Sequence, residues 1–130
     1  MSYYFSKIIN GKNFDEAVEQ VTAELKKEGF GILNEIDIKE TLKNKIDVDF
    51  KPYKILGACN PHFAYKALQA EDKIGVFLPC NIIVETTENG DIEISAVDPV
   101  AAMSSVKNET LGIMATEIQA KLKRVIEQLV

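Results

Sequence analysis

Asn89-Gly90, set between the apolar run Ile74–Thr87 and the run Ile92–Val97, constrains this chain more than any other feature. A tight hairpin turn places backbone in the left-handed region, which glycine enters freely and asparagine tolerates. Asn-Gly between two β-branched runs therefore predicts two antiparallel strands that are neighbours in sequence. Pro79 lies inside the first run and has no N–H to offer a ladder, so the spacing predicts one long strand, bent or bulged at that residue.

The rest of the chain alternates between the two periods of secondary structure. Tyr3–Ile9 is aromatic and β-branched, Phe30–Ile36 alternates with period two, and Tyr53–Cys59 reads as a strand. Between them, Phe14, Ala17, Val18, Val21 and Leu25 recur at helical spacing. Asn13 and Glu16 form a capping box at the start of that stripe, and Gly29 ends it. Asp37 with Glu40 three residues on predicts a short helix, and Asp47–Pro52 is turn-like. Asn60-Pro61 starts another helix, because Asn is a favoured N-cap and proline fits the first helical turn. After Asp98-Pro99, a final helix from about Asn108 carries an apolar stripe from Leu111 through Met114, Ile118, Leu122, Val125 and Ile126 to Leu129. The expected class is α+β: a largely antiparallel sheet of about five strands packed on helices, with a long amphipathic helix at the C-terminal end.

Composition narrows the function classes. At 130 residues the expectation is one domain, 1–130, with no linker or repeat. A net charge of −5 disfavours nucleic acid and anionic membrane, both of which need a cationic surface. The one basic cluster, Lys121, Lys123 and Arg124, falls on a helical face and reads as solvated. The N-terminal MSYYFSKIINGK is too polar for an export signal, and no apolar run approaches the ~20 residues of a membrane span. A cytoplasmic location is expected, with Cys59 and Cys80 as free thiols.

The chemistry that stands out is a repeated local order, Cys59-Asn60 and Cys80-Asn81. Cys59 closes a strand beside a helix N-terminus, where partial positive charge favours a thiolate or a bound anion. Packing as a small hydrophobe is the plainer alternative. Cys80 shares strand parity with Ile82 and Val84 and points inward, whereas Asn81 points the other way beside Ile83. Tyr53 shares parity with Cys59, and Asp98 at a strand end is either a turn initiator or a cleft carboxylate. Cys59-x-x-His62 has ligand-like spacing, but a fourth ligand is not evident, so no metal site is assigned. His62 is the only histidine, and nothing in the sequence orients it as a base for a thiol nucleophile.

The runs GFGILNEIDIKETL, PYKILGACNP, AYKAL, GVFLPCNIIV and VDP together resemble the uncharacterised family called domain of unknown function 302, over nearly the whole chain. The resemblance implies a curved antiparallel sheet packed on helices, commonly found as a homodimer, and brings no activity and no cofactor. The motif residues it carries over are Tyr53, Gly57, Cys59, Asn60, Pro61, Pro79, Cys80, Asn81, Asp98 and Pro99. His62 falls at a variable position of the motif. The leading expectation is a homodimeric module that binds or senses a small ligand, in a pocket lined by Cys59, Asn60, Cys80, Asn81, Asp98 and Tyr53. The carboxamides would fix a polar ligand, and the thiols would add redox sensitivity. The alternatives are a thiol-dependent enzyme or redox protein using Cys59, and a purely structural or interaction module.

Overall fold

The computed structural model describes residues 2–130 and has the α+β architecture expected from the sequence. Strands β1 (Tyr4–Ile9), β2 (Gly31–Asp37), β3 (Tyr53–Cys59), β4 (Cys80–Thr86) and β5 (Ile92–Val97) form one open sheet in the order β1-β5-β4-β3-β2. Every neighbouring pair is antiparallel. Among the described residues there are six helices: α1 (Phe14–Lys27), α2 (Ile38–Ile46), α3 (Pro61–Ala70), a 3-10 helix (Asp72–Phe77), α4 (Pro99–Ala102) and α5 (Glu109–Gln128).

Local chemistry sets most of these boundaries. Glu16 N donates to Asn13 Oδ1 at 2.8 Å, and Asn13 N donates to Glu16 Oε1 at 3.0 Å, which completes the capping box of α1. Asp37 accepts from Glu40 N at 2.9 Å to start α2, and Asn108 accepts from Leu111 N at 3.2 Å to start α5. The hairpin joining β4 to β5 closes with Gly90 N donating to Thr87 O at 3.0 Å, with Gly90 at φ 84°.

Alternation along the strands divides the sheet into two faces. Leu56, Ala58, Ile82, Val84, Ile94 and Ala96 form the inner face, against Val21 and Leu25 of α1 and Leu122 and Val125 of α5. Each of these larger aliphatic side chains contributes about 1.5–3 kcal/mol by leaving water. The register places Tyr53, Asn81, Ile83, Glu85, Glu93 and Ser95 on the outer face. A second, smaller cluster of Ala67, Ile74 and Leu111, with Leu78, Met103 and Met114 against it, joins α3, the 3-10 helix and the first turns of α5. That cluster positions the site described below.

Two features differ from the sequence expectation. Ile74–Thr87 is not one bent strand. Residues Asp72–Phe77 are a 3-10 helix and β4 begins at Cys80, immediately after the cis Leu78–Pro79 bond. Pro79 cannot donate to β3, and Ile74 is buried in the small cluster instead of alternating with its neighbours. Second, Asp98-Pro99 opens the four-residue helix α4 before α5 begins. The basic cluster on α5 is also more than solvated. Arg124 Nη2 lies 3.0 Å and Lys121 Nζ 3.9 Å from Glu28 Oε1, and Lys123 Nζ lies 5.3 Å from the centre of the Phe5 ring. The Arg124 guanidinium holds the Glu28 carboxyl below its ordinary range.

Candidate functional site: an apolar cavity beside the two cysteines

β3 ends at Cys59 and β4 begins at Cys80, and the register sets Ala58 opposite Cys80, so the two thiols arise from adjacent strand ends. Both cysteines are free and both line a cavity of about 350 Å³. Its walls come from α3 (Phe63, Ala64, Ala67, Leu68), from α5 (Leu111, Met114, Ala115, Ile118) and from the α4 region (Pro99, Met103). Phe30, Leu33, Leu78 and Pro79 complete it. Leu33 reaches the rim because β2 shifts register between Ile32 and Asn34, which leaves Leu33 as the extra residue of a bulge.

Asn60 is the one carboxamide in this wall, and its hydrogen bonds are already made. Its Oδ1 accepts from Phe63 N at 3.4 Å as the N-cap of α3, and its Nδ2 donates to Glu28 O at 3.4 Å at the end of α1. Gly29 stands so close that a β-carbon there would lie 2.9 Å from Asn60 Nδ2. The buried Asn60 thus joins α1 to α3, and the cavity it borders is overwhelmingly apolar.

The six residues expected to share one pocket do not all meet, although Cys80 and Asn81 both line a smaller pocket of about 250 Å³ with Leu78, Pro79 and Val97. Cys59, Asn60 and Cys80 line the cavity. Tyr53 and Asn81 line a groove of about 460 Å³ on the outer face, with Tyr3, Tyr4, Glu85 and Glu93. Asp98 lines neither. It caps α4 by accepting from Val100 N at 3.0 Å, and it accepts from Gln119 Nε2 at 3.1 and 3.2 Å, which fastens α4 to α5. Strand parity explains why Asn81 lies outside the cavity that Cys80 lines, because consecutive strand residues point to opposite faces. Around Asn81, its register partner Gly57 is covered by the Asn34 side chain and the Pro79 ring, which occupy the space a β-carbon would take. His62 is exposed in the first turn of α3.

The sequence does not mark Phe63, Ala67, Met103 or Met114 as cavity residues. Met114 was legible as part of the apolar stripe of the last helix, but a stripe does not say that α3 and α5 stand apart at this point. Electrostatics disfavour Cys80 as a nucleophile. Burial, with a smaller contribution from Cys59, pushes the Cys80 thiol up to about 11. Cys80 is therefore a neutral, weakly nucleophilic wall residue near neutral pH.

The molecule so defined is an open-sheet antiparallel α+β protein with an apolar cavity at the end of its two central strands. It belongs to the family described as domain of unknown function DUF302, whose model matches residues 5–129. A crystal structure of an uncharacterised conserved DUF302 protein from Bacillus stearothermophilus is similar to it, at 29% identity over 98% of each chain, with a TM-score of 0.89. No curated protein matches the chain.

The raised pKa of the buried Cys80 thiol ties stability to pH. An unfolded chain releases this proton near the ordinary ~8.5, whereas the folded one holds it to about 11. The unfolded state therefore binds fewer protons between these values, and stability falls as pH rises through that window. Urea titrations at pH 8, 9.5 and 10.5 are expected to show a steeper alkaline loss in wild type than in Cys80→Ala. Equal slopes would contradict the assignment. At pH 8, per-residue mass spectrometry is expected to find Cys80 alkylated on the order of 100-fold more slowly in the folded than in the denatured chain.

Proposed function

We propose that this protein is a small-molecule binding or sensing module whose ligand is apolar and occupies the cavity beside Cys59 and Cys80. The observation that carries this reading is the cavity's volume, about 350 Å³, combined with its lining. Ligand sites typically span ~300–1,000 Å³ and are lined mainly by apolar side chains with a few polar groups. Here the polar complement is small. Asn60 is committed to the backbone of Glu28 and Phe63, so it has little capacity to fix a polar ligand. This shifts the expected ligand from polar to apolar. The thiols contribute soft, polarisable surface to the wall.

The same reading takes the protein as a homodimer that associates through the outer face of the sheet. The support is the set of exposed apolar side chains on two strands there. Tyr4, Ile8 and Ile36 are 43%, 53% and 42% exposed, and β1 and β2 carry them at opposite edges of the sheet. A second copy covering this face would bury them together with the Tyr53 and Asn81 groove.

Two measurements test these halves separately. The neutral fluorophore N-phenyl-1-naphthylamine is expected to bind wild type saturably with a Kd on the order of 10–200 μM, the range set by its ~17 heavy atoms. Ala115→Phe and Ala64→Phe each fill the cavity and are expected to weaken that binding at least ten-fold while the protein stays folded by circular dichroism. Unchanged binding in both folded variants would remove the cavity reading. Sedimentation equilibrium is expected to give twice the chain mass for wild type and the single-chain mass for Ile8→Lys/Ile36→Lys. A wild-type monomer at 50 μM would rule out the dimer.

A further inference from the structure

The chain contains two cysteines and three methionines. Four of these five sulfur-bearing residues, Cys59, Cys80, Met103 and Met114, line the one cavity. They come from four separate parts of the chain: the end of β3, the start of β4, the segment after α4 and the second turn of α5. Phe30 and Phe63 stand in the same wall.

We infer that the ligand is a flat aromatic molecule of about two fused rings, selected over an alkyl chain or an aliphatic ring by the sulfur-bearing residues of this wall, the two methionines above all; this rests on the cavity being a binding site. Thiol and thioether sulfur is polarisable and meets aromatic rings favourably at about 5 Å, often at the ring edge. An aliphatic ligand of the same size meets sulfur through dispersion alone. Each sulfur contact favours the aromatic ligand by roughly two- to ten-fold. Phe30 and Phe63 add edge or offset ring contacts that an alkane cannot make.

Size agrees with this class. An apolar cavity of about 150 Å³ admits benzene, so about 350 Å³ leaves room for a second ring. The two methionines add adaptability, because three rotatable bonds let a thioether follow the outline of the ring. No charged side chain lines the cavity, so the ligand needs no ionic group.

The test compares naphthalene with decalin, which share a ten-carbon bicyclic skeleton and differ in aromaticity. Both are titrated into wild type and into Met103→Leu/Met114→Leu, which keeps wall volume close to constant. Competition against N-phenyl-1-naphthylamine gives the affinities. The variant is expected to bind naphthalene about five-fold or more weakly, with decalin affinity unchanged within two-fold. The single variants carry the same comparison if the double one does not fold. Equal losses for both ligands, or no loss for either, would overturn the aromatic assignment while leaving the apolar site in place. Failure of wild type to bind either ligand would overturn the site reading itself.

Discussion

Asn60 is the point on which the arrangement of helices around the sheet depends. Its carboxamide starts α3 by accepting from Phe63 N, and it closes onto Glu28 O at the end of α1. Gly29, with no β-carbon, makes the room. Glu28 in turn pairs with Arg124 of α5. One short segment, Glu28-Gly29, therefore fixes the end of α1 against the beginning of α3 and the flank of α5. A buried amide left without these partners would cost ~1–3 kcal/mol, so the contacts specify one geometry as well as stabilise it. With α3 and α5 so anchored, the small cluster of Ala67, Ile74 and Leu111 closes their far end, and the cavity lies between.

The two Cys-Asn pairs share an order of residues but not a physical role. Cys59 and Cys80 both reach the cavity, since one closes β3 and the other opens β4 on its inner face. Asn60 has left the strand and turned to cap a helix, whereas Asn81 remains in a strand and faces outward. There it lies in the groove with Tyr53, whose hydroxyl pKa is raised by burial and by Glu85, so the phenol stays a hydrogen-bond donor. Residues that look like one motif in the sequence thus line different hollows of the fold, and Asn81 meets Cys80 only in the smaller pocket.

Much of this was legible in the residues. The capping groups Asn13, Asp37 and Asn60 state local rules that hold regardless of tertiary context, and the strands Tyr53–Cys59 and Ile92–Val97 fall where their patterning places them. Asn89-Gly90 predicts the hairpin for the same reason. The α+β class follows from this, whereas the family was legible through the resemblance carried by runs such as PYKILGACNP and GVFLPCNIIV. Ile74–Phe77 was not legible as part of a 3-10 helix, because an apolar run with one proline suits a strand equally well until tertiary burial of Ile74 decides. The cavity was beyond reach for a related reason. Whether Met103 and Met114 fill a core or line a void depends on the spacing of α3 and α5, set by contacts more than 30 residues apart such as Asn60 to Glu28. Asp98 had two readings in the sequence, turn initiator or cleft carboxylate, and here its carboxylate caps α4 and accepts from Gln119.

Whether the sulfur-lined cavity admits an apolar molecule in solution is decided by methyl NMR of protein carrying 13C at its methionine ε-methyls, titrated with naphthalene. Saturable shifts of the Met103 and Met114 methyls that share one dissociation constant are expected. Methyl resonances that stay fixed while naphthalene reaches its solubility limit would contradict the cavity reading.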